Sequence, residues 1–227
     1  MDPVIAVVIP AYNEEESIGK VLGDIPSGLV AQVVVVDNGS TDATAAQAAA
    51  AGAQVVYEER RGYGQACLSG LAVLQDVDIV VFLDGDYSDF PDDMPAVVDP
   101  IRKDRADLVI GSRTLGQREK GALLPQARWG NALATWLISW LFGVRYTDLG
   151  PFRAVAYGPL QEMDMEDRNF GWTVEMQVKA ARRKLRIVEV PVRYRKRIGT
   201  SKITGTISGT LRAGYKILWT IFRYARR

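Results

Sequence analysis

Asp84 and Asp86 are the residues whose type and spacing most clearly allow chemistry, because they stand one residue apart at the end of an apolar run. That run, residues 79–83 (IVVFL), is short, rich in β-branched residues and not alternating, as is typical of a buried parallel strand. Open α/β sheets bind ligands at the carboxyl ends of such strands. Two neighbouring carboxylates repel each other unless a cation lies between them, and hard oxygen ligands suit Mg²⁺ or Mn²⁺. The pair therefore predicts a divalent metal that can bind a diphosphate.

Two further apolar runs end in polar loops. Residues 4–9 are followed by the loop 10–14 (PAYNE), and residues 33–36 by the loop 37–42 (DNGSTD). Because the carboxyl ends of parallel strands meet at one edge of a sheet, we expect both loops to lie beside the acid pair. A tyrosine for stacking, acids for base or ribose hydroxyls and a metal-binding pair together predict a nucleotide site. No Gly-x-Gly-x-x-Gly follows the first strand, which disfavours the usual dinucleotide fold, and no Gly-Lys-Ser/Thr loop occurs, which excludes a P-loop NTPase.

Strand-like and helix-like runs alternate through the first half of the chain. Strands are predicted at residues 4–9, 33–36, 54–57, 79–83 and 108–110, with helices at 15–25, 43–51, 62–74 and 92–102. This alternation predicts right-handed βαβ units in an α/β fold with a single doubly wound, mostly parallel sheet. Further along, we expect helices at 129–142 and 172–183, a last strand at 187–194, and an amphipathic helix from residue 203.

The composition excludes several kinds of chemistry. The chain contains no histidine, so a Ser-His-Asp triad and ordinary zinc sites are excluded, and proton transfer must fall to carboxylates, Lys, Tyr or the substrate. The single cysteine, Cys67, excludes an internal disulfide and fits a reducing, cytoplasmic compartment. A net charge of +1 gives no indication of a nucleic-acid partner.

Two helical segments have the composition of membrane-surface helices. Residues 129–142 contain three tryptophans and no charge, and they lie between Arg128 and Arg145. The C-terminal segment combines an apolar face with a basic face formed by Arg212, Lys216, Arg223 and Arg226. Trp and Arg favour membrane interfaces, and a basic face favours anionic lipid. No run reaches the roughly 20 apolar residues of a membrane span, so we expect peripheral association with the inner face of the cytoplasmic membrane.

Five short motifs occur together in this chain: Pro10-Ala11-Tyr12-Asn13-Glu14, Asp37-Asn38-Gly39-Ser40-Thr41-Asp42, Asp84-Gly85-Asp86, Gly111-Ser112-Arg113 and Gly199-Thr200-Ser201-Lys202. This combination resembles the family 2 inverting glycosyltransferases with the GT-A fold, and within them the polyprenyl-phosphate sugar transferases. The resemblance extends from Val7 to about Thr206. It implies a GT-A domain over residues 1–202, followed by the amphipathic helix at 203–227 with no transmembrane segment.

The resemblance also implies roles for individual residues. The nucleotide-sugar donor would be bound by Pro10, Ala11, Tyr12, Glu14, Asp37, Asp84 and Asp86. Within that set, Asp84 and Asp86 would hold Mg²⁺ or Mn²⁺ on the diphosphate. Ser88 stands where relatives often carry a metal-ligating Gln. The acceptor phosphate would be bound by Arg113, Arg128, Ser201 and Lys202, whereas we expect Arg195 and Arg197 to be general surface charge.

The expected reaction is metal-dependent, inverting transfer of a sugar from a UDP-glucose or GDP-mannose type of donor to a polyprenyl phosphate. Asp86 is then catalytic through the metal. A phosphate acceptor is already anionic, whereas a hydroxyl acceptor needs a general base, for which Asp148 and Glu175 are the candidates. Three alternatives remain open: a soluble transferase acting on a small hydroxyl or phosphorylated acceptor, a nucleotidyltransferase, and a non-catalytic subunit of a membrane complex.

Overall fold

The computed structural model describes residues 2–199 and 207–225, apart from the side chains of 207–211. The strands are β1 (Ile5–Ala11), β2 (Gln32–Asp37), β3 (Gln54–Tyr57), β4 (Ile79–Phe82), β5 (Leu108–Ser112), β6 (Arg153–Ala156) and β7 (Ile187–Pro191). The helices are α1 (Ile18–Gly23), α2 (Thr44–Ala50), α3 (Tyr63–Leu71), α4 (Met94–Arg102), α5 (Pro125–Phe142), α6 (Tyr157–Met163), α7 (Trp172–Arg182) and α8 (Ile207–Ala225).

All seven strands form one sheet in the order β3-β2-β1-β4-β6-β5-β7. Every pairing is parallel except those of β6, which runs antiparallel to both β4 and β5. The predicted single, mostly parallel sheet is therefore confirmed. Because β6 is reversed, its first residue lies at the edge where the parallel strands end. That edge collects the polar loops.

The helices cover both faces of the sheet, as the apolar strand sequences require. One layer packs α3, α5, α6, α7 and α8 against side chains such as Val8 and Phe82, and the Phe82 ring meets Trp172 edge-on at 5.8 Å. The opposite layer packs α1, α2 and α4 against Val7 and Ile9. Burial on two faces fixes the strand ends, and with them the loops that follow.

Some elements differ from the prediction. β6 and α6 were not predicted, because β6 has only four residues and begins with an arginine, Arg153, that is fully buried. β7 ends at Pro191 rather than at residue 194, because after the Val192 N–H bond to the Ser112 carbonyl the chain leaves β5, and the Tyr194 N–H donates to the Gln117 carbonyl instead. α5 starts at Pro125, earlier than predicted, and ends at Gly143, which has the left-handed conformation that favours glycine.

Helix α8 packs against α5 and α7, but its faces are used differently from the prediction. Lys216 pairs with Asp167 at 2.8 Å, and Arg223 pairs with Glu166 at 2.8 Å. The prediction that both residues are free to face lipid is therefore wrong. The large apolar residues that α8 leaves exposed are aromatic: Tyr215, Trp219 and Phe222. Among the described helices, none has the length and apolar character needed to cross a bilayer.

Candidate active site

A cavity of about 480 Å³ opens at the edge of the sheet where β1 and β4 end, and we call it the donor cavity. The start of α3 and the loop before α7 complete its wall. All but one of the residues predicted to bind the nucleotide-sugar line it: Pro10, Ala11, Tyr12, Glu14, Asp84 and Asp86. The exception is Asp37, which is buried and accepts the backbone N–H of Ser40 at 2.9 Å. Its role in donor binding stays a prediction.

The acid pair is held by short hydrogen bonds within the cavity. Asp84 accepts the hydroxyl of Tyr63 at 3.0 Å. Burial, together with the charge of Asp86, raises the pKa of Asp84 to about 7. Asp86 accepts the Ser88 N–H at 2.9 Å and the Ser88 hydroxyl at 2.5 Å. Ser88 therefore orients Asp86, with Tyr87 between them in the left-handed conformation at φ 63°.

A third acid, Asp89, is buried close to the pair, and among the described residues neither of its carboxylate oxygens has a hydrogen-bond partner. Burial raises the pKa of Asp89 well above its ordinary value, and the charges of Asp84 and Asp86 act in the same direction. Within residues 2–199 and 207–225, no three His, Cys, Asp or Glu side chains converge on a metal position. The two acids that line the cavity thus fit a divalent cation whose remaining ligands come from a bound diphosphate.

Arg197 also lines the donor cavity, so its prediction as general surface charge is wrong. After β7 the chain crosses back over the acid loop, where Ile198 N–H donates to the Asp86 carbonyl at 3.0 Å. This crossing brings the Arg197 guanidinium to 3.0 Å from Glu14 and 3.1 Å from Asp86. The same crossing stacks Arg195 on the ring of Tyr87, 3.2 Å from the centroid. The basic run after the last predicted strand was the available signal.

The end of the cavity formed by Tyr12 contains residues to which the sequence analysis assigned no role. The Arg61 guanidinium lies 3.8 Å from the centroid of the Tyr12 ring. Asn38 donates to the carbonyls of Glu58 and Arg60 and accepts the N–H of Gly62, so it fixes the loop that carries Arg61. Asn169 and Phe170 line the cavity from the loop before α7.

Arg113, at the end of β5, forms a two-pronged ion pair with Asp148. Its Nε and Nη2 lie 2.8 and 2.7 Å from the two carboxylate oxygens, and its backbone N–H adds a third bond. Burial opposes ionisation of Asp148, but Arg113 prevails and holds the pKa of that carboxyl below its usual range. Asp148 has no exposed surface, and its role as a general base stays a prediction.

Glu175, the other candidate base, does not line the donor cavity and instead contacts the loop before α7 and helix α8. Its carboxylate accepts the backbone N–H groups of Glu166 and Asp167 and pairs with Lys179 at 2.8 Å. It also accepts the Tyr224 hydroxyl at 2.7 Å. These contacts give Glu175 a structural role in holding α8 against α7.

A second and larger concavity of about 790 Å³ runs along α5, and we call it the α5 groove. Arg118, Arg128 and Arg145 line it together with Trp129 and Trp136. In the described part of the chain, no carboxylate pairs with any of these arginines. Two of the lining threonines are neighbours in sequence of the Arg113–Asp148 ion pair: Thr114 follows Arg113, and Thr147 precedes Asp148. Ser201 and Lys202, the other predicted phosphate ligands, lie outside the described residues.

Comparison with known proteins agrees with this geometry. The model of glycosyl transferase family 2 matches residues 6–155. An uncharacterized glycosyltransferase of Mycobacterium tuberculosis is 38% identical over 91% of this chain and 93% of its own length. A dolichyl-phosphate hexose transferase of Haloferax volcanii is 35% identical over 88% of this chain and 86% of its own length.

The fold is also similar to that of a solved enzyme. Glucosyl-3-phosphoglycerate synthase from Mycobacterium tuberculosis, in complex with Mn²⁺, UDP-glucose and phosphoglyceric acid, superposes with a TM-score of 0.80. The match covers 99% of this chain and 80% of that one, at 25% identity. The fold class, the family match and the site geometry converge on one conclusion: this chain belongs to glycosyltransferase family 2 and is a glycosyltransferase with the GT-A fold.

Proposed function

We propose that this enzyme transfers a hexose from a nucleoside-diphosphate sugar to the phosphate of a polyprenyl phosphate at a membrane surface. The α5 groove is the observation that carries the proposal. It combines arginines that have no carboxylate partner in the described chain with exposed tryptophans. That combination is complementary to an anionic phosphate attached to an apolar chain. The name of the Haloferax relative supports the same acceptor class.

The donor cavity supplies the other substrate. Asp84 and Asp86 would hold Mg²⁺ or Mn²⁺ against the donor diphosphate, since the two carboxylates lie close together in the cavity and the charge of Asp86 raises the pKa of Asp84. A bound ion of this kind neutralises the charge that develops on the leaving diphosphate. Tyr12 and Arg61 offer a flat, stacked surface for the nucleobase. Arg197 supplies a further cation at the end of the cavity where the acids lie.

The acceptor needs positioning more than deprotonation. Its phosphate oxygen is already anionic and attacks the anomeric carbon from the face opposite the diphosphate. A bond forms between that oxygen and the anomeric carbon, while the bond from the anomeric carbon to the diphosphate breaks, and the configuration inverts. Arg128 and Arg113 would align the phosphate, with Ser201 and Lys202 assigned by resemblance. Asp148 then serves by orienting Arg113.

Two neighbouring helices present the surface that would meet the membrane. On α5 the exposed residues at helical spacing are Trp129, Leu133, Trp136 and Trp140. On α8, which contacts α5, they are Tyr215, Trp219 and Phe222. Exposed apolar patches of this size on a soluble domain mark interaction surfaces, and tryptophan is enriched at the membrane interface. These features support peripheral attachment to the inner face of the cytoplasmic membrane.

The test is a transfer assay with radiolabelled UDP-glucose or GDP-mannose, Mg²⁺ or Mn²⁺, detergent and undecaprenyl phosphate. Metal-dependent movement of label into butanol after partition against water is the expected result, and it also identifies the donor. Release of free sugar into water, with no label in butanol, would show a working donor site and refute the lipid acceptor. Intact donor in every arm would exclude both of these donors.

A phosphorylated small molecule is the second candidate acceptor, because the solved relative was crystallised with phosphoglyceric acid. The same arginines would bind its phosphate, and the tryptophans would then have no part in the reaction. Replacing the lipid by 3-phosphoglycerate in the assay separates the two acceptors. Label in a charged, water-soluble product would favour this candidate.

A further inference from the structure

The loop that enters α7, residues 166–171, forms one wall of the donor cavity through Asn169 and Phe170. Two buried carboxylates, Asp167 and Glu175, accept its backbone N–H groups, and Asp167 holds the part that lines the cavity. Asp167 Oδ1 accepts the backbone N–H groups of Asn169 at 2.7 Å and Gly171 at 3.2 Å. Asp167 thus folds the half of the loop that carries the cavity wall, while Glu175 holds the N–H groups of Glu166 and Asp167 at its start.

The other side of the loop is pressed against the start of α3. Gln65 N–H donates to the Arg168 carbonyl at 2.9 Å, and Gly64 N–H donates to the Asn169 carbonyl at 3.3 Å. A Cβ added at Gly64 would lie 1.9 Å from the Asp167 carbonyl oxygen, so only glycine permits this approach. The cavity wall is therefore clamped to α3, whose Tyr63 bonds Asp84.

The remaining carboxylate oxygen of Asp167 is held from the C-terminal helix. Lys216 Nζ of α8 lies 2.8 Å from Asp167 Oδ2, and the Asp167 side chain is 4% exposed. Helix α8 also packs on the loop at Gly171, where an added Cβ would lie 2.6 Å from Thr220 Oγ1. Among the described residues of α8, Lys216 is the one that forms an ion pair with Asp167.

We infer that Lys216 is a positioning residue for the donor cavity: through Asp167 it fixes the Asn169–Phe170 wall, so that α8 controls nucleotide binding at a distance. The identity of the ligand in the cavity rests on the proposed function, but the contacts that link Lys216 to the cavity wall do not. Without Lys216, the Asp167 carboxylate is a buried charge with no cation beside it. Because opening of the loop exposes that charge to water, the free energy needed to open the loop falls. Helix α8 also carries exposed aromatic residues, so contacts made there can bias the donor site.

The test is amide hydrogen exchange in the full-length protein with Lys216→Met, without any ligand. We expect exchange at Asn169, Gly171, Gly64 and Gln65 to accelerate about tenfold or more, because the hydrogen bonds of the loop open together. Amides of β4 should keep their wild-type rates, which shows that the fold is intact. Arg212→Met is the matched control, since it removes an exposed cation of α8 that has no ion pair in the described chain.

Two further measurements make the inference refutable. Asp167→Asn keeps an acceptor for both loop amides but loses the ion pair, so we expect a smaller acceleration, and this variant replaces Lys216→Met if that protein does not fold. Titration calorimetry with UDP or GDP and Mn²⁺ should show weaker binding to Lys216→Met and unchanged binding to Arg212→Met. Unchanged exchange at the four amides overturns the link, and faster exchange with unchanged nucleotide affinity overturns its role in donor binding. A wild-type protein that binds neither nucleotide refutes the proposed donor, while exchange still decides the link.

Discussion

The donor cavity and the α5 groove are built on different principles. The donor cavity lies where buried parallel strands end, and its acids are fixed by the sheet and by hydrogen bonds from neighbouring side chains. The α5 groove is lined largely by one helix and two flanking loops, and its arginines have no ion-pair partner in the described chain. Substitutions in the cavity should therefore affect the reaction itself. Substitutions in the groove should change which acceptor is used.

The largest effect should follow from Asp86→Ala in the donor cavity. Loss of the carboxylate should lower kcat/KM by about 10³-fold, as removal of transition-state charge stabilisation does in other enzymes. The measurement is initial transfer rate over a titration of Mn²⁺. Ser88→Ala is the matched control, because it removes a hydrogen bond to Asp86 and leaves the carboxylate in place. Near-normal turnover in Asp86→Ala would remove the metal assignment.

Asp148→Asn tests the buried partner of Arg113, a carboxylate that lines neither the donor cavity nor the α5 groove. Breaking its buried pair with Arg113 should lower the free energy of unfolding by about 3 kcal/mol or more, measured by urea denaturation. The pKa of Asp148 is depressed in the folded state, so the folded protein binds fewer protons than the unfolded chain. Its contribution is complete above about pH 4 and is lost as the pH falls below that value. Wild-type stability with abolished turnover would instead identify Asp148 as the base.

Arg128→Met should raise the acceptor KM by about 10- to 100-fold and leave the donor KM unchanged, because a charged hydrogen bond is worth roughly 1.5–3 kcal/mol. Full kinetics with both substrates varied provide the measurement. Arg182→Met, at an exposed position at the end of α7, controls for the loss of positive charge. An equal rise in both KM values would contradict the division between cavity and groove.

Trp136→Ser should weaken binding to vesicles that contain anionic lipid by about tenfold, since a Trp side chain contributes on the order of 1.5–3 kcal/mol when buried. Trp136 is exposed and stacks on Trp140 at 6.3 Å. Tyr57→Ser is the control, because Tyr57 is an exposed aromatic residue on β3, outside the α5 groove. Co-sedimentation measures both. Equal losses in the two variants would mean that the α5 aromatic residues have no special part in lipid binding.

The smallest effect should come from Arg61→Met at the nucleotide end of the donor cavity. A cation over an aromatic face contributes about 0.5–1 kcal/mol at an accessible site, so the donor Kd should rise a few-fold. Calorimetry with UDP or GDP and Mn²⁺ measures it. The acceptor KM should not change. A rise in the acceptor KM with an unchanged donor Kd would contradict the assignment of Arg61 to the donor cavity.

Prediction from sequence succeeded where position follows from local pattern. Pro10, Tyr12, Asp84 and Asp86 could be placed together, because apolar runs identify parallel strands and parallel strands end at one edge. Arg197 could not be placed, since it reaches the cavity through backbone hydrogen bonds between segments more than a hundred residues apart. The basic residues beside it in the sequence predict a charged segment, but they do not predict which part of the fold its side chain contacts.

The same reasoning explains the errors on the helices and on β6. Periodicity identified the two faces of α8, but it could not tell which one packs, because that depends on Asp167 and Glu166 in a distant loop. Strand β6 carries the buried Arg153, whose guanidinium donates to backbone carbonyls of residues 149, 150 and 173. Burial lowers the pKa of Arg153 to about 10. An ionisable residue in a four-residue strand gives no hydrophobic pattern to detect.

The reversed direction of β6 makes the segment that carries the α5 groove a contiguous insertion between two neighbouring strands. Because β5 ends and β6 begins at one edge, the chain between them, with α5, is a single excursion that leaves the sheet and returns to the same place. The loops of such a segment can change in length without a change in the strand order, as long as the buried residues of α5, Ala134, Leu137 and Ile138, keep their packing. Under the proposed function, replacing this one contiguous segment by that of a relative is expected to change the acceptor, and such a chimera tests the assignment of the α5 groove.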